Sequence, residues 1–318
     1  MLLLDRKQVD ALLDMDALIG AIGPAMVELS AGLVSMPVRT AAQVQGKGLL
    51  GVMPVHLPSS GTLCCKLVSV FPRNAARDIP THQAVVMLFD ADTGAPKAML
   101  DGASITALRT AAGSALATRL LAREDASVLL IVGTGVQARS HGEALPRVCK
   151  LKEIRVAGRD PEKAAALARE LAARWGLQTK SYPIGPEAFA GADIVCATTD
   201  AAEPVVRGEW LRDGMHVNSV GLHQKGRELD EAAVRRSRVF VESRAAALAP
   251  PPSGALDLVG AEVQAEIGEV IAGTRPGRES PDTITLYKSV GVAVQDAVAA
   301  QLVYDAALKR RVGTEVRY

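Results

Sequence analysis

The stretch that most limits the fold is Ser127-Val128-Leu129-Leu130-Ile131-Val132 followed at once by Gly133-Thr134-Gly135-Val136-Gln137-Ala138. A short apolar run is a buried strand, and a G-x-G-x-x-A turn directly after it opens a helix. Gly133 permits the tight turn, Gly135 lets the backbone approach a diphosphate, and Ala138 lets the helix pack closely on the strand. The phosphates then face the positive end of that helix. Downstream, Glu153–Ala157 reads as a second strand, Pro161–Trp175 as an alanine-rich helix and Asp193–Thr198 as a third strand. Met215–Val220 and Arg238–Glu242 add two more. Strands alternating with helices predict an α/β domain of Rossmann type, a doubly wound parallel sheet that takes a dinucleotide.

The end of the second strand selects the cofactor. An acid there would hold the ribose 2′-hydroxyl of NAD; this chain has Ala157-Gly158-Arg159-Asp160 instead. Arg159 is suited to a 2′-phosphate, so NADP(H) is the expected cofactor and NAD(H) the alternative. Asp160 also has the position of a helix N-cap ahead of Pro161, which leaves Arg159 open to being a plain loop cation.

The rest of the chain reads differently. Residues 5 to 30 carry apolar positions at helical spacing, with Asp14 or Asp16 as a cap. Leu63–Phe71, Ala84–Phe89 and Ala98–Leu100 read as strands, and residues 104 to 122 as a helix. The first third is therefore an α+β unit. After a Pro-rich loop at Ala249–Gly254, Ala261–Ala272 is expected to be an amphipathic helix. A last helix, Val290–Arg311, is expected to return to the first domain. The boundaries expected are 1–112 with 292–318 for one domain and 113–291 for the other.

Composition narrows the function. Lys+Arg 36 against Asp+Glu 35 gives no field to hold a nucleic acid or an anionic membrane surface. The longest charge-free stretch, Gly48 to Cys65, is broken by Pro54, His56 and Pro58, so no membrane span is expected. The start lacks a basic segment and a long apolar run, which argues against a signal peptide. Cys64, Cys65, Cys149 and Cys196 have no C-x-x-C spacing, so reduced thiols in the cytoplasm are expected and no metal site.

Three cations lie among apolar neighbours in the first third: Arg39, Lys66 and Arg109. Such cations need partners, and a substrate carboxylate would serve if they converge. Several motifs then carry a resemblance. Leu108-Arg109-Thr110-Ala111-Ala112, the run Gly133 to Arg139, and Lys288-Ser289-Val290-Gly291 with Asp296 together resemble the ornithine cyclodeaminase/μ-crystallin family. Leu50-Gly51-Val52-Met53-Pro54, Thr81-His82-Gln83-Ala84, Gly208-Glu209-Trp210 and Gly268-Glu269-Val270-Ile271 are more similar to its μ-crystallin branch. The resemblance covers nearly the whole chain.

It implies an NAD(P)-dependent oxidoreductase, a homodimer whose terminal segments form a substrate-binding and dimerisation domain. The implied reaction is reduction of cyclic ketimine carboxylates such as Δ1-pyrroline-2-carboxylate and Δ1-piperideine-2-carboxylate. Ornithine cyclodeaminase activity, or binding of a small ligand without turnover, is the alternative. By motif position Arg39, Lys66 and Arg109 match the family's carboxylate-binding residues, with His82 at the pocket or in a structural hydrogen bond. Gly133, Thr134, Gly135, Val136 and Gln137 match the phosphate turn. Thr198, Thr199, Val220, Ser289 and Gly291 match the strand ends that face the dinucleotide. Cyclodeaminases carry a catalytic aspartate after the glycine of Asn218-Ser219-Val220-Gly221; here Leu222-His223-Gln224-Lys225-Gly226 follows, with His223 nearest its place. Loss of that carboxylate favours an imine reductase, in which His223, with a reference pKa near ~6.5, or Lys66 would move a proton. Of the remaining histidines, His141 is expected on a helix surface or near a dimer interface, His56 in a loop and His216 at a strand start.

Overall fold

Asp5 and Asp14 each stand one residue ahead of an apolar run with helical spacing. In the computed structural model, which describes residues 1–223, 225–250 and 253–317, both cap helices. Asp5 accepts from the Gln8 amide in a capping box, and Asp14 accepts from the Ala17 amide. Pro251 and Pro252 of the Pro-rich loop, Gln224 of the His223 stretch and Tyr318 lie outside the described residues. The chain forms two units, residues 1–109 with 292–318 and residues 110–291.

Along the first unit run β1 (Leu2–Leu4), α1 (Arg6–Leu12), α2 (Met15–Ser30), β2 (Thr40–Val44), β3 (Gly48–Leu57), β4 (Thr62–Val70), β5 (His82–Phe89) and β6 (Pro96–Asp101). Helix α3 (Gly102–Leu121) crosses the division after Arg109. The second unit continues with β7 (Val128–Val132), α4 (Val136–Ala144), β8 (Glu153–Ala157), α5 (Pro161–Trp175), β9 (Gln178–Tyr182), α6 (Pro186–Phe189), β10 (Ile194–Ala197) and β11 (His216–Ser219). Then come α7 (Glu231–Arg235), β12 (Arg238–Val241), α8 (Arg244–Ala247), β13 (Val263–Glu266), α9 (Ile267–Ile271) and β14 (Thr285–Lys288). The chain closes, back in the first unit, with α10 (Ala293–Arg310) and β15 (Thr314–Glu315).

The first unit is a seven-stranded mixed sheet in the order β15-β1-β6-β5-β4-β3-β2, parallel only between β1 and β6. Helices α2 and α10 pack on each other, and α10 also packs on β3, β4 and β5. The rung Met53–Lys66–Val86–Leu100 lies on the buried face of the sheet, and Pro54–Cys65–Met87–Met99 on the other. Strand β3 is a departure from expectation, since Pro54 and His56 argue for a broken stretch. Pro54 lies beyond Val52, the last residue paired with β2, and by alternation its nitrogen faces the same edge as that of His56. No ladder bond is required of it there, so the proline is tolerated. His56 is in this strand rather than in a loop, and exchanges backbone bonds with Ser35.

The second unit is an eight-stranded sheet, β13-β12-β14-β11-β10-β7-β8-β9, with every pair parallel. The order reverses direction between β7 and β10, which is the switch point of a doubly wound sheet. Leu130, Val132, Val195, Val217, Leu286 and Phe189 belong to the apolar core on this sheet. The expected helix at Ala261–Ala272 is corrected. Val263–Glu266 is an edge strand beside β12, and Glu266 with Glu269 forms the capping box that starts the short α9 only at Ile267. His141 is also corrected, from surface to interior. It is wholly buried, with Nδ1 2.7 Å from the Gln137 carbonyl and Nε2 2.9 Å from Ser114 Oγ. Burial pushes its pKa down to about 4. Among the described residues no helix is long and apolar enough to cross a membrane, and no cluster of metal-ligating side chains forms.

Candidate active site

In the first unit, Lys66 projects from the middle of β4 to the buried face, and Arg109 comes from α3. Lys66 is 2% exposed and Arg109 5%. Both converge on Asp296 of α10: Lys66 Nζ is 2.8 Å from Oδ2, and Arg109 Nε donates to Oδ1 at 3.0 Å. Arg109 Nη1 donates to Gln295 Oε1 at 3.1 Å. A buried charge is tolerated only when paired, and here one carboxylate answers two cations. Burial alone would raise the Asp296 carboxyl. Arg109 and Lys66 more than reverse that and hold it below the ordinary carboxylate range. Burial lowers Lys66 to about 8, helped by the charges of Arg109 and Arg39 and opposed by Asp296. Arg39, half-buried just ahead of β2, adds its positive charge to the same corner.

The three predicted cations are therefore brought together, but His82 is not. It opens β5 on the same face as Lys66, four residues from Val86, the cross-strand partner of Lys66. At ~3.3 Å per residue that is roughly 13 Å away. It is exposed, with Nδ1 3.1 Å from Thr81 Oγ1.

In the second unit, Gly133 ends β7 with φ +124°, a conformation that favours glycine, and a Cβ there would come 2.6 Å from Thr198 Oγ1. The Thr198 hydroxyl donates to the Val132 carbonyl at 2.9 Å, so it braces the turn. Gly135 has an ordinary φ of −86° and N-caps α4. Among the described residues nothing outside its own stretch of chain lies within 4 Å of where its Cβ would be. Its side-chain-free face is open, Val136 beside it is 58% exposed, and Ala138 is buried against the sheet. Thr134 and Gln137 complete the turn. The free amides of the first turn of α4 therefore meet an uncrowded surface, and the cradle fits a dinucleotide diphosphate. Arg159 is exposed at the end of β8 and forms no ion pair among the described residues, whereas the Asp160 carboxylate accepts from the Glu162 and Lys163 amides as the cap of α5.

The remaining predicted residues lie at strand ends. Thr199 gives its amide and hydroxyl to Glu228 Oε1, both at 2.8 Å. Ser289 Oγ donates to Glu242 at 2.6 Å, and the Gly291 amide donates to the same carboxylate at 3.1 Å. Val220 is half-buried and donates to the Ala197 carbonyl. His223 is half-buried in the turn after β11; its Nδ1 accepts from the Lys225 amide at 3.2 Å, which places the proton of the neutral ring on Nε2. Sequence reasoning did not assign roles to Asp296, Glu228 or Glu242. Asp296 had a signal, being the one acid in the apolar run Ala293–Ala300. Glu228 and Glu242 had none, because their partners come from other strands.

A glycine turn at the switch point of a parallel sheet and a buried cation cluster on a second sheet are the two features any comparison must share. The ornithine cyclodeaminase/mu-crystallin family model matches residues 1–311. A ketimine reductase mu-crystallin of Mus musculus is 42% identical over 276 residues, 86% of each chain. The Thermococcus litoralis Δ1-pyrroline-2-carboxylate reductase, solved with NADH and L-proline, superposes with a TM-score of 0.95 at 38% identity, covering 99% of this chain and 100% of its own. An archaeal alanine dehydrogenase, solved as a dimer with bound NAD, gives 0.90 at 32% identity over 100% of this chain and 99% of its own. With matches of that extent, the chain belongs to the ornithine cyclodeaminase/mu-crystallin family.

Proposed function

We propose that this chain is an NADPH-dependent reductase of small cyclic ketimine carboxylates, converting Δ1-pyrroline-2-carboxylate or Δ1-piperideine-2-carboxylate to L-proline or L-pipecolate. The observation that carries the reading is the meeting of Lys66 and Arg109 on Asp296 with Arg39 beside them. A reduced nicotinamide, when bound, supplies the hydride for the imine carbon. Arg39, Lys66 and Arg109 hold the substrate carboxylate, whose charge is shared with Asp296 between Lys66 and Arg109. Asp296 fixes the directions of the Lys66 ammonium and the Arg109 guanidinium, so less ordering remains to be done when substrate arrives. His82 keeps its hydrogen bond with Thr81 at the strand end, away from the cation cluster. His223 is a proton source for the imine nitrogen only as the imidazolium, which gives up a ring proton and returns to neutral imidazole, and Lys66 is the second proton source. Gly133 to Gln137 hold the diphosphate, with Thr198, Thr199, Val220, Ser289 and Gly291 lining the strand ends. Arg159, exposed and without an ion pair among the described residues, takes the 2′-phosphate, which favours NADP(H) over NAD(H). In this reading the first unit binds substrate and the second binds the dinucleotide.

The first unit also supports a homodimer. The second face of its sheet carries Val52, Pro54, Leu63, Cys65, Leu67, Val85, Met87, Phe89 and Met99, apolar and partly exposed, where a sheet facing water would alternate with polar residues. A second copy of the same face would cover it. The free thiols suit a reducing compartment such as the cytoplasm.

Absorbance at 340 nm tests the activity with NADPH and each cyclic imine, NADH being run in parallel. Rapid NADPH loss with either imine is the expected outcome. Ammonia released from ornithine with only catalytic NAD would replace the reading by cyclodeaminase, and NADPH binding without turnover would replace it by ligand binding.

A further inference from the structure

The second unit contains a buried charge cluster that the reading above leaves unused. Glu228, 2% exposed, accepts from the Thr199 amide and hydroxyl on Oε1. On Oε2 it accepts from the Ser219 hydroxyl at 2.7 Å and the Gly221 amide at 2.9 Å. Asp257 accepts from the Glu228 and Leu229 amides at 2.8 and 2.9 Å, and lies 2.9 Å from Lys288 Nζ. Lys288, fully buried, also donates to Ser219 Oγ at 2.9 Å and to the Gly221 carbonyl at 2.6 Å. The Ser219 hydroxyl thus accepts from the ammonium and donates to the carboxylate, which leaves one consistent set of proton positions.

Its place in the sheet gives the cluster meaning. In a doubly wound sheet the ligand lies outside the carboxyl ends of the strands, one mononucleotide on each side of the switch point. The glycine turn serves the β7 side. On the other side Thr199 follows β10, Gly221 follows β11 and Lys288 ends β14. The cluster therefore ties together the ends of the three strands of that half nearest the switch point, β10, β11 and β14. A Cβ on Gly221 would collide with the Thr199 carbonyl and the Glu228 carboxylate, so these two turns touch directly. Gly221 is held by both its amide and its carbonyl, and Glu228 anchors the far end of the same segment. The turn bearing His223 is fixed at both ends.

We infer that Glu228, Asp257 and Lys288 are positioning residues that preset the Thr199 and Gly221 turns for the nicotinamide half of the cofactor. The inference rests on the NAD(P)H reading of the glycine turn. Asp193 supplies the internal control. It accepts from the Ser127 and Val128 amides at 2.8 and 3.0 Å and from Arg123 at 2.7 Å, at the amino ends of β7 and β10, where this fold places no ligand.

The test is the Kd for NADPH, and for NADH in parallel, from nicotinamide fluorescence, measured with thermal unfolding on Glu228→Gln, Asp257→Asn and Asp193→Asn. Glutamine at 228 turns one acceptor oxygen into an NH2 group that faces donors. Glu228→Gln is expected to raise the Kd roughly tenfold and Asp257→Asn severalfold. Asp193→Asn is expected to lower the melting temperature with the Kd unchanged. If the first two variants also lose only melting temperature, the cluster is scaffolding and the inference is overturned. Should Glu228→Gln not fold, Asp257→Asn decides by the same criterion. No binding of either nucleotide to the unaltered chain overturns the proposed function, and this inference with it.

Discussion

Each unit buries a cluster of charge, and the two differ in what is left over. The Lys288 ammonium has three acceptors for three protons, and the Glu228 carboxylate has four donors. That cluster is closed, and its chemistry is spent on holding strand ends. Among the described residues the Lys66 ammonium meets one acceptor, Asp296, which it shares with Arg109. That cluster is open. A buried ion whose hydrogen-bonding positions are all filled holds backbone in place; a buried ammonium with positions unfilled is left to meet a ligand.

The largest test of the contrast removes the one carboxylate of the open cluster. Asp296→Ala strands two buried cations, and urea unfolding is expected to show a loss of about 3–5 kcal/mol. A loss under 1 kcal/mol would mean that water or rearrangement already pairs those cations. Next in size, Arg109→Ala should cut kcat/KM about a hundredfold, near 3 kcal/mol, through the lost guanidinium–carboxylate contact. Cofactor Kd should stay unchanged, and a matched rise in that Kd would take Arg109 out of the substrate role.

The pH dependence separates binding from stability. Lys66 titrates at about 8 in the folded chain against an ordinary 10.5. Substrate KM should therefore rise above pH 8, by up to about tenfold per pH unit, as the ammonium is lost. Stability moves oppositely. Between these two values the unfolded chain binds the extra proton, so the Lys66 contribution to folding grows as pH rises. A KM that stays flat to pH 9.5 contradicts the assignment. Smallest is the cation outside both clusters. Exposed Arg159 replaced by alanine should weaken NADPH by about tenfold or less and leave NADH as it was. Equal effects on the two nucleotides would remove the 2′-phosphate role.

Much of the second unit was legible in the chain because its signals are local. The β7–Gly133–α4 turn, the strand Glu153–Ala157 and the helix Pro161–Trp175 each show in contiguous residues, and Asp160 caps α5 as its spacing implied. Two of the elements that escaped were β3, with a proline inside, and the edge strand β13, whose apolar residues also fit a helix. Both are decided by neighbours distant in sequence, since the adjacent strand determines which edge must supply hydrogen bonds. His141 escaped for the same reason: its ring is taken in by Ser114 of another helix.

The candidate site divides along that line. Residue type and local order marked Arg39, Lys66 and Arg109 as cations in need of partners, and Gly133 and Gly135 as a turn made for a diphosphate, because steric and electrostatic demands act within a few residues. That Lys66 and Arg109 share Asp296, nearly two hundred positions beyond Arg109, and that Glu228 gathers Thr199, Ser219 and Gly221, was decided only by tertiary structure. The energy of a buried charge depends on which opposite charges and dipoles lie within a few ångströms, and folding, not sequence spacing, sets those distances.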